Sequence, residues 1–109
     1  MPPQYFTFRL ADNVIVSVYF STARGKVTEF VVKLELEFEG GIHEVIRYDA
    51  AHGGPHKDVL MPDGSKYDVV PYHNLGIDEG FTFAVSDIKE NWAFYTERFL
   101  RWLKAKEKN

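Results

Sequence analysis

Apolar and polar side chains alternate with period two through the first half of the chain, the pattern of strands that turn one face to a core and the other to water. Phe6, Phe8 and Leu10 oppose Tyr5, Thr7 and Arg9, and Asp12-Asn13 makes a turn into Val14, Val16, Val18 and Phe20. After Ala23-Arg24-Gly25 comes the clearest alternation, Phe30, Val32, Leu34, Leu36 and Phe38 against Lys33, Glu35, Glu37 and Glu39. Strands of this kind joined by short turns predict a one-sided antiparallel meander.

Gly40-Gly41 punctuates the next hairpin, and two registers are open there. With a loop of the two glycines alone, His43, Val45, Arg47 and Asp49 share the face of the large apolar side chains, which is costly for Arg47 and Asp49. With Glu39-Gly40-Gly41 as a loop containing a glycine bulge, Ile42, Ile46 and Tyr48 take that face instead, and the apolar pattern favours this second register. Residues 49–56 read as a connection. Residues 57–61 and 66–72 read as a hairpin about Pro62-Asp63-Gly64-Ser65, residues 73–80 as loop and residues 81–85 as a last short strand. The end of the chain predicts a helix: Asp87 and Glu90 have capping-box spacing, and Ile88, Trp92, Tyr95, Phe99 and Trp102 recur at steps of four and three. The expected fold is α+β, an antiparallel β-meander of about five to seven strands with one C-terminal amphipathic helix packed on the sheet, in a single domain over residues 1–109.

Composition narrows the chemistry. The 109 residues are 45% hydrophobic and 27% charged, which suits a globular domain, and the absence of cysteine removes thiolate zinc sites, thiol nucleophiles and disulfides. A net charge of −3 argues against coating nucleic acid by bulk electrostatics. Arg98, Arg101, Lys104, Lys106 and Lys108 sit where cations complement a helix C-terminus. No apolar run approaches a membrane span and Met1-Pro2-Pro3-Gln4 lacks the parts of a signal peptide, so a soluble, cytoplasmic protein without membrane contact is expected. Phosphate-cradling loops, dinucleotide fingerprints and EF-hand loops are not visible.

The densest polar cluster is Arg47-Tyr48-Asp49 with His52, His56, Lys57 and Asp58. Imidazole titrates near neutrality, and Gly53-Gly54-Pro55 can fold the chain between the two histidines. Three readings follow: a hydrogen-bonded turn without chemistry; metal-free acid/base cleavage of a phosphodiester; or a metal site of His52, His56 and Asp58 or Asp49. In the second, His52 and His56 serve as acid and base, Asp49 orients a ring, and Arg47 with Lys57 contacts phosphate. Tyr48, Asp58 and His73 are secondary candidates for the site. His43 is weaker.

The segment Arg47-Tyr48-Asp49-Ala50-Ala51-His52, continuing to His56, resembles the Arg-aromatic-Asp-x-Ala segment with nearby histidines of TumE-like toxin proteins. That resemblance implies an activity on RNA and an antitoxin protein as partner, carried by Arg47, Asp49, His52 and His56. The expectation is therefore a toxin-like, metal-independent endoribonuclease that needs no cofactor. The alternative is a non-catalytic interaction module that uses its sheet edge or aromatic helix to bind a protein or form a homodimer. A third reading is a His/Asp metal-dependent hydrolase.

Overall fold

The computed structural model describes residues 2–50, 54–72 and 74–107. Six strands, β1 (Gln4–Ala11), β2 (Val14–Ala23), β3 (Lys26–Phe38), β4 (Gly41–Asp49), β5 (His56–Leu60) and β6 (Lys66–Pro71), precede one helix, α1 (Ile77–Glu107). Each strand pairs antiparallel with the next, so the sheet order is the chain order. The expected meander and its packed helix are both present.

The alternation does the folding. Val16, Val18, Phe30, Val32, Leu34, Leu36, Ile46 and Tyr48 are buried from the sheet, and Ala84, Ile88, Tyr95, Phe99 and Leu103 meet them from α1. Trp92 and Trp102 lie at the margin of this core, and Trp102 packs on Tyr67 with tilted rings whose centroids are 4.9 Å apart. Phe99 is 1% exposed, so its truncation to alanine removes about 3–5 kcal/mol of packing.

Two hairpins turn on left-handed backbone. Arg24 and Gly25 have φ of 54° and 79°, and Glu39 and Gly40 have φ of 50° and 78°, the paired positive angles of a type I′ turn. The β5–β6 turn is organised by Asp63, whose Oδ1 accepts from the Ser65 amide at 2.9 Å and from its hydroxyl at 2.6 Å.

The β3–β4 register differs from both readings of the sequence. The loop is Glu39-Gly40, and Phe38 pairs with Gly41 and Leu36 with His43, so His43 lies on the helix side, 5.8 Å from the Phe99 ring. Ile42 is 63% exposed rather than core. A bulge then intervenes, with Glu44 opposite Glu35 but Ile46 opposite Leu34, and Val45 is the extra residue. That one residue turns Ile46 and Tyr48 into the core and sends Arg47 and Asp49 to the outer face.

The start of the helix is a second correction. Residues 81–85, expected as a short strand, are helical, and α1 begins at Ile77. Phe81, Ala84, Ile88, Tyr95, Phe99 and Leu103 form one stripe on the core side, so the helical spacing already runs through this segment. Asp78 fastens the first turn by accepting from the Val27 amide at 2.8 Å. Gly80 is needed for close approach, since a Cβ there would lie 2.8 Å from Pro55 Cγ. Among the described residues, no helix is long and apolar enough to cross a membrane.

Candidate functional site

After the bulge, strand alternation places four polar side chains on one patch of the outer face. Asp49 pairs directly with His56 across β4 and β5, and Arg47 pairs with Asp58. His56 Nε2 is 3.1 Å from Asp49 Oδ1 and 3.9 Å from Asp58 Oδ1. The other ring nitrogen, Nδ1, lies 3.3 Å from the Gly54 carbonyl oxygen. A carbonyl only accepts, so this contact places a proton on Nδ1. Each carboxylate also meets a cation through its second oxygen: Arg47 Nε is 3.4 Å from Asp49 Oδ2, and Lys66 Nζ is 3.5 Å from Asp58 Oδ2.

These groups line a cleft of about 330 Å³ with Glu44 at its margin. Asp49 and Asp58 are only 7% and 4% exposed, which is unusual for carboxylates on the side of a sheet away from its helix. Asp58 Oδ1 is buried and has no hydrogen-bond partner among the described residues. Arg47 also borders two adjoining clefts on the same face, lined by Tyr5, Ser17, Tyr19 and Lys33 on one side and Glu29 and Ala50 on the other. One guanidinium thus stands where three hollows meet.

A different polar network occupies the opposite face of β4 and β5. Tyr48 and Tyr95 both donate to Asp87 Oδ2, Tyr95 at 2.7 Å, while Asn91 donates to Asp87 Oδ1 at 2.8 Å. Lys57 Nζ is 2.7 Å from the Tyr95 hydroxyl and 3.5 Å from Asp87 Oδ2, and it rests on the Tyr95 ring at 4.4 Å. Burial pushes the Tyr48 and Tyr95 phenols up, and their hydrogen bonds to the Asp87 carboxylate add to the rise. Burial alone would raise Asp87 as well, but hydrogen bonds from the two tyrosines, the Lys57 charge and Asn91 outweigh it and hold its carboxyl below the usual range. This is a hydrogen-bonded network on the helix side of the sheet, on the face opposite the outer cleft.

Residues 1–105 match the family described as a domain of unknown function, DUF7718. The chain belongs to DUF7718. No curated protein and no solved structure matches it.

Of the residues singled out from the sequence, this DUF7718 chain brings Arg47, Asp49 and His56 together, and Asp58 joins them from the secondary group. Lys57, expected to contact phosphate, is a correction: period two sends it to the face opposite His56 and Asp58, where Asp87 and Tyr95 hold it. Tyr48 is fully buried in the core and committed to Asp87, so it too is removed from the site. His52 and His73 lie outside the described residues. Sequence reasoning missed Lys66, whose pairing with Leu60 beside a register shift brings its amine to Asp58. Asp87 was legible only as a helix-start acid, whereas it stands well inside α1 as the centre of the buried network.

Proposed function

We propose that the outer-face cluster of Arg47, Asp49, His56, Asp58 and Lys66 cleaves phosphodiester bonds of single-stranded RNA, as a toxin-like ribonuclease of the cell interior. The observation that carries the reading is Arg47: an arginine side chain 41% exposed that lines three adjoining clefts, beside an imidazole and two carboxylates, with Asp49 in ion-pair reach of both Arg47 and His56 and Asp58 in reach of His56. Arginine presents a rigid fork of donors suited to phosphate oxygens, and Lys66 adds a second cation. The local resemblance of residues 47–56 to TumE-like toxins supports the same substrate class, and implies an antitoxin protein as partner.

In the reaction a ribose 2′-oxygen forms a bond to phosphorus as the bond to the 5′-oxygen breaks, leaving a cyclic phosphate and a 5′-hydroxyl. A carboxylate of the cluster takes the proton from the attacking hydroxyl, and solvent returns one to the departing oxygen. Arg47 and Lys66 offset the charge that builds on the phosphoryl oxygens. His56 does not act as a free base here, because both ring nitrogens are engaged. A scheme with two catalytic histidines requires His52, which lies outside the described residues.

The test is digestion of end-labelled single-stranded RNA by the purified full chain. Cleavage with cyclic-phosphate termini is expected, and Arg47→Ala should slow it about 10²-fold while the fold is kept. Product formation equal in wild type and Arg47→Ala would contradict the reading.

A second reading rests on the free edge of the sheet. Every residue of β6 is exposed, with Tyr67, Val69 and Val70 at 61%, 48% and 40%. An apolar edge strand offers its backbone to another chain, as a homodimer or an antitoxin complex would use it. Sedimentation that gives a monomer for both wild type and Val69→Lys would remove the dimer.

A further inference from the structure

We infer that Asp49, His56 and Asp58 bind a divalent first-row transition ion, Mn²⁺ or Zn²⁺, through Asp49 Oδ1, His56 Nε2 and Asp58 Oδ1. This concerns the ligand of the cluster and stands apart from the RNA reading. It would hold for a protein that cleaves nothing.

The first support is convergence. One donor atom from each of the three residues lies within 4.8 Å of the others. Bonds of about 2.0–2.2 Å place neighbouring ligand atoms about 3 Å apart, and the Nε2···Oδ1 separation of 3.1 Å between His56 and Asp49 already meets this. The 3.9 Å from His56 to Asp58 needs a shift of less than 1 Å.

The second support is the orientation of the ring. With Nδ1 against the Gly54 carbonyl, His56 turns its Nε2 toward two carboxylate oxygens. A backbone carbonyl on the far nitrogen is the arrangement that fixes ligating histidines elsewhere.

The third support is independent of the cluster's composition. Asp58 is 4% exposed, and its Oδ1 is buried, lacks a hydrogen-bond partner among the described residues and faces His56 Nε2. Leaving a buried carboxylate oxygen bare is costly, and an ion removes that cost. Arg47 and Lys66 occupy the outer oxygens, Oδ2 of Asp49 and Oδ2 of Asp58, so neither blocks the converging pair. One imidazole with two carboxylates mixes the donors that suit Zn²⁺ and Mn²⁺, and leaves coordination positions open to water or a phosphate oxygen. A bound ion would also make the attacking hydroxyl of the RNA reaction easier to deprotonate.

The test uses the full chain stripped with chelator, dialysed and titrated calorimetrically with MnCl₂ or ZnSO₄. One ion per chain is expected, with a rise in thermal midpoint that grows with ion concentration. Asp58→Asn and His56→Gln should each weaken binding at least about 100-fold, whereas Glu97→Gln on the exposed face of the helix should leave it unchanged. Should those variants unfold, the wild-type chain still decides the matter by proton resonance. Substoichiometric Mn²⁺ should broaden the His56 ring signals and spare those of His43, which lies on the helix side of the sheet. No binding heat, equal affinity in Asp58→Asn, or equal broadening of His43 and His56 would overturn the inference.

Discussion

At the scale of single residues, the strands β4 and β5 separate two kinds of polar chemistry by alternation alone. His56 and Asp58 point outward, while Lys57 between them points inward to Asp87. This much was legible in the sequence, because adjacent strand residues cannot share a face. Grouping Lys57 with its neighbours as a phosphate contact overlooked that rule. The inward network makes a pH prediction. Asp87 titrates lower in the folded chain than in the unfolded one, so its contribution to stability is present above the ordinary carboxylate pKa and is lost as pH falls below about 4. Asp87→Asn should destabilise the chain by about 3 kcal/mol at pH 7 and by less at pH 3, as denaturant melts at the two pH values will report. Tyr48, Tyr72 and Tyr95 have raised phenol pKa values, chiefly through burial, and Asp49 and Asp87 reinforce the rise in Tyr72. Their stabilisation is present below pH 10 and declines as the pH climbs further, so ultraviolet titration should show these three phenols ionising with alkaline unfolding.

At the scale of elements, the hairpins carry local strain and the bulge sets which side chains reach the outer face. Glu39 holds a left-handed φ of 50°, a conformation that asparagine or glycine adopts at lower cost. Glu39→Asn should therefore stabilise the chain by roughly 0.5–1 kcal/mol, read as a rise of about 2–8 °C in thermal midpoint. Gly80→Ala should do the reverse. Alanine gains about 1 kcal/mol of helix propensity, but its Cβ would press on Pro55 at 2.8 Å, and a net loss of stability is expected in the same melts. The bulge at Val45 was not readable in advance, since the residues on either side of it fit two regular registers and only packing under the helix selects the irregular one. Residues 81–85 misled for a related reason. Phe81, Phe83 and Val85 alternate as a strand would, yet Phe81, Ala84 and Ile88 also keep helical spacing, and the core rewards the helical reading.

At the scale of the whole molecule, shape follows from the helix. Its 31 residues span about 46 Å at 1.5 Å per residue, close to the 51 Å long axis of the molecule. One face of the sheet is spent on that helix, and the other carries the cleft in which β4, β5 and the amine of Lys66 converge. The fold class, an antiparallel meander under one helix, was readable from periodicity. The convergence of Asp49, His56 and Asp58 was only partly so, because it depends on the pairing of His56 with Asp49 across a connection whose length says nothing of register. The central claim is that these outer-face residues act as one unit. A double-mutant cycle on RNA cleavage tests it most directly, with Asp49→Asn, Asp58→Asn and the pair measured in the full chain. Acting as one unit, the double variant should be no slower than the slower single variant. Losses that multiply, or single variants that cleave as fast as wild type, would contradict it.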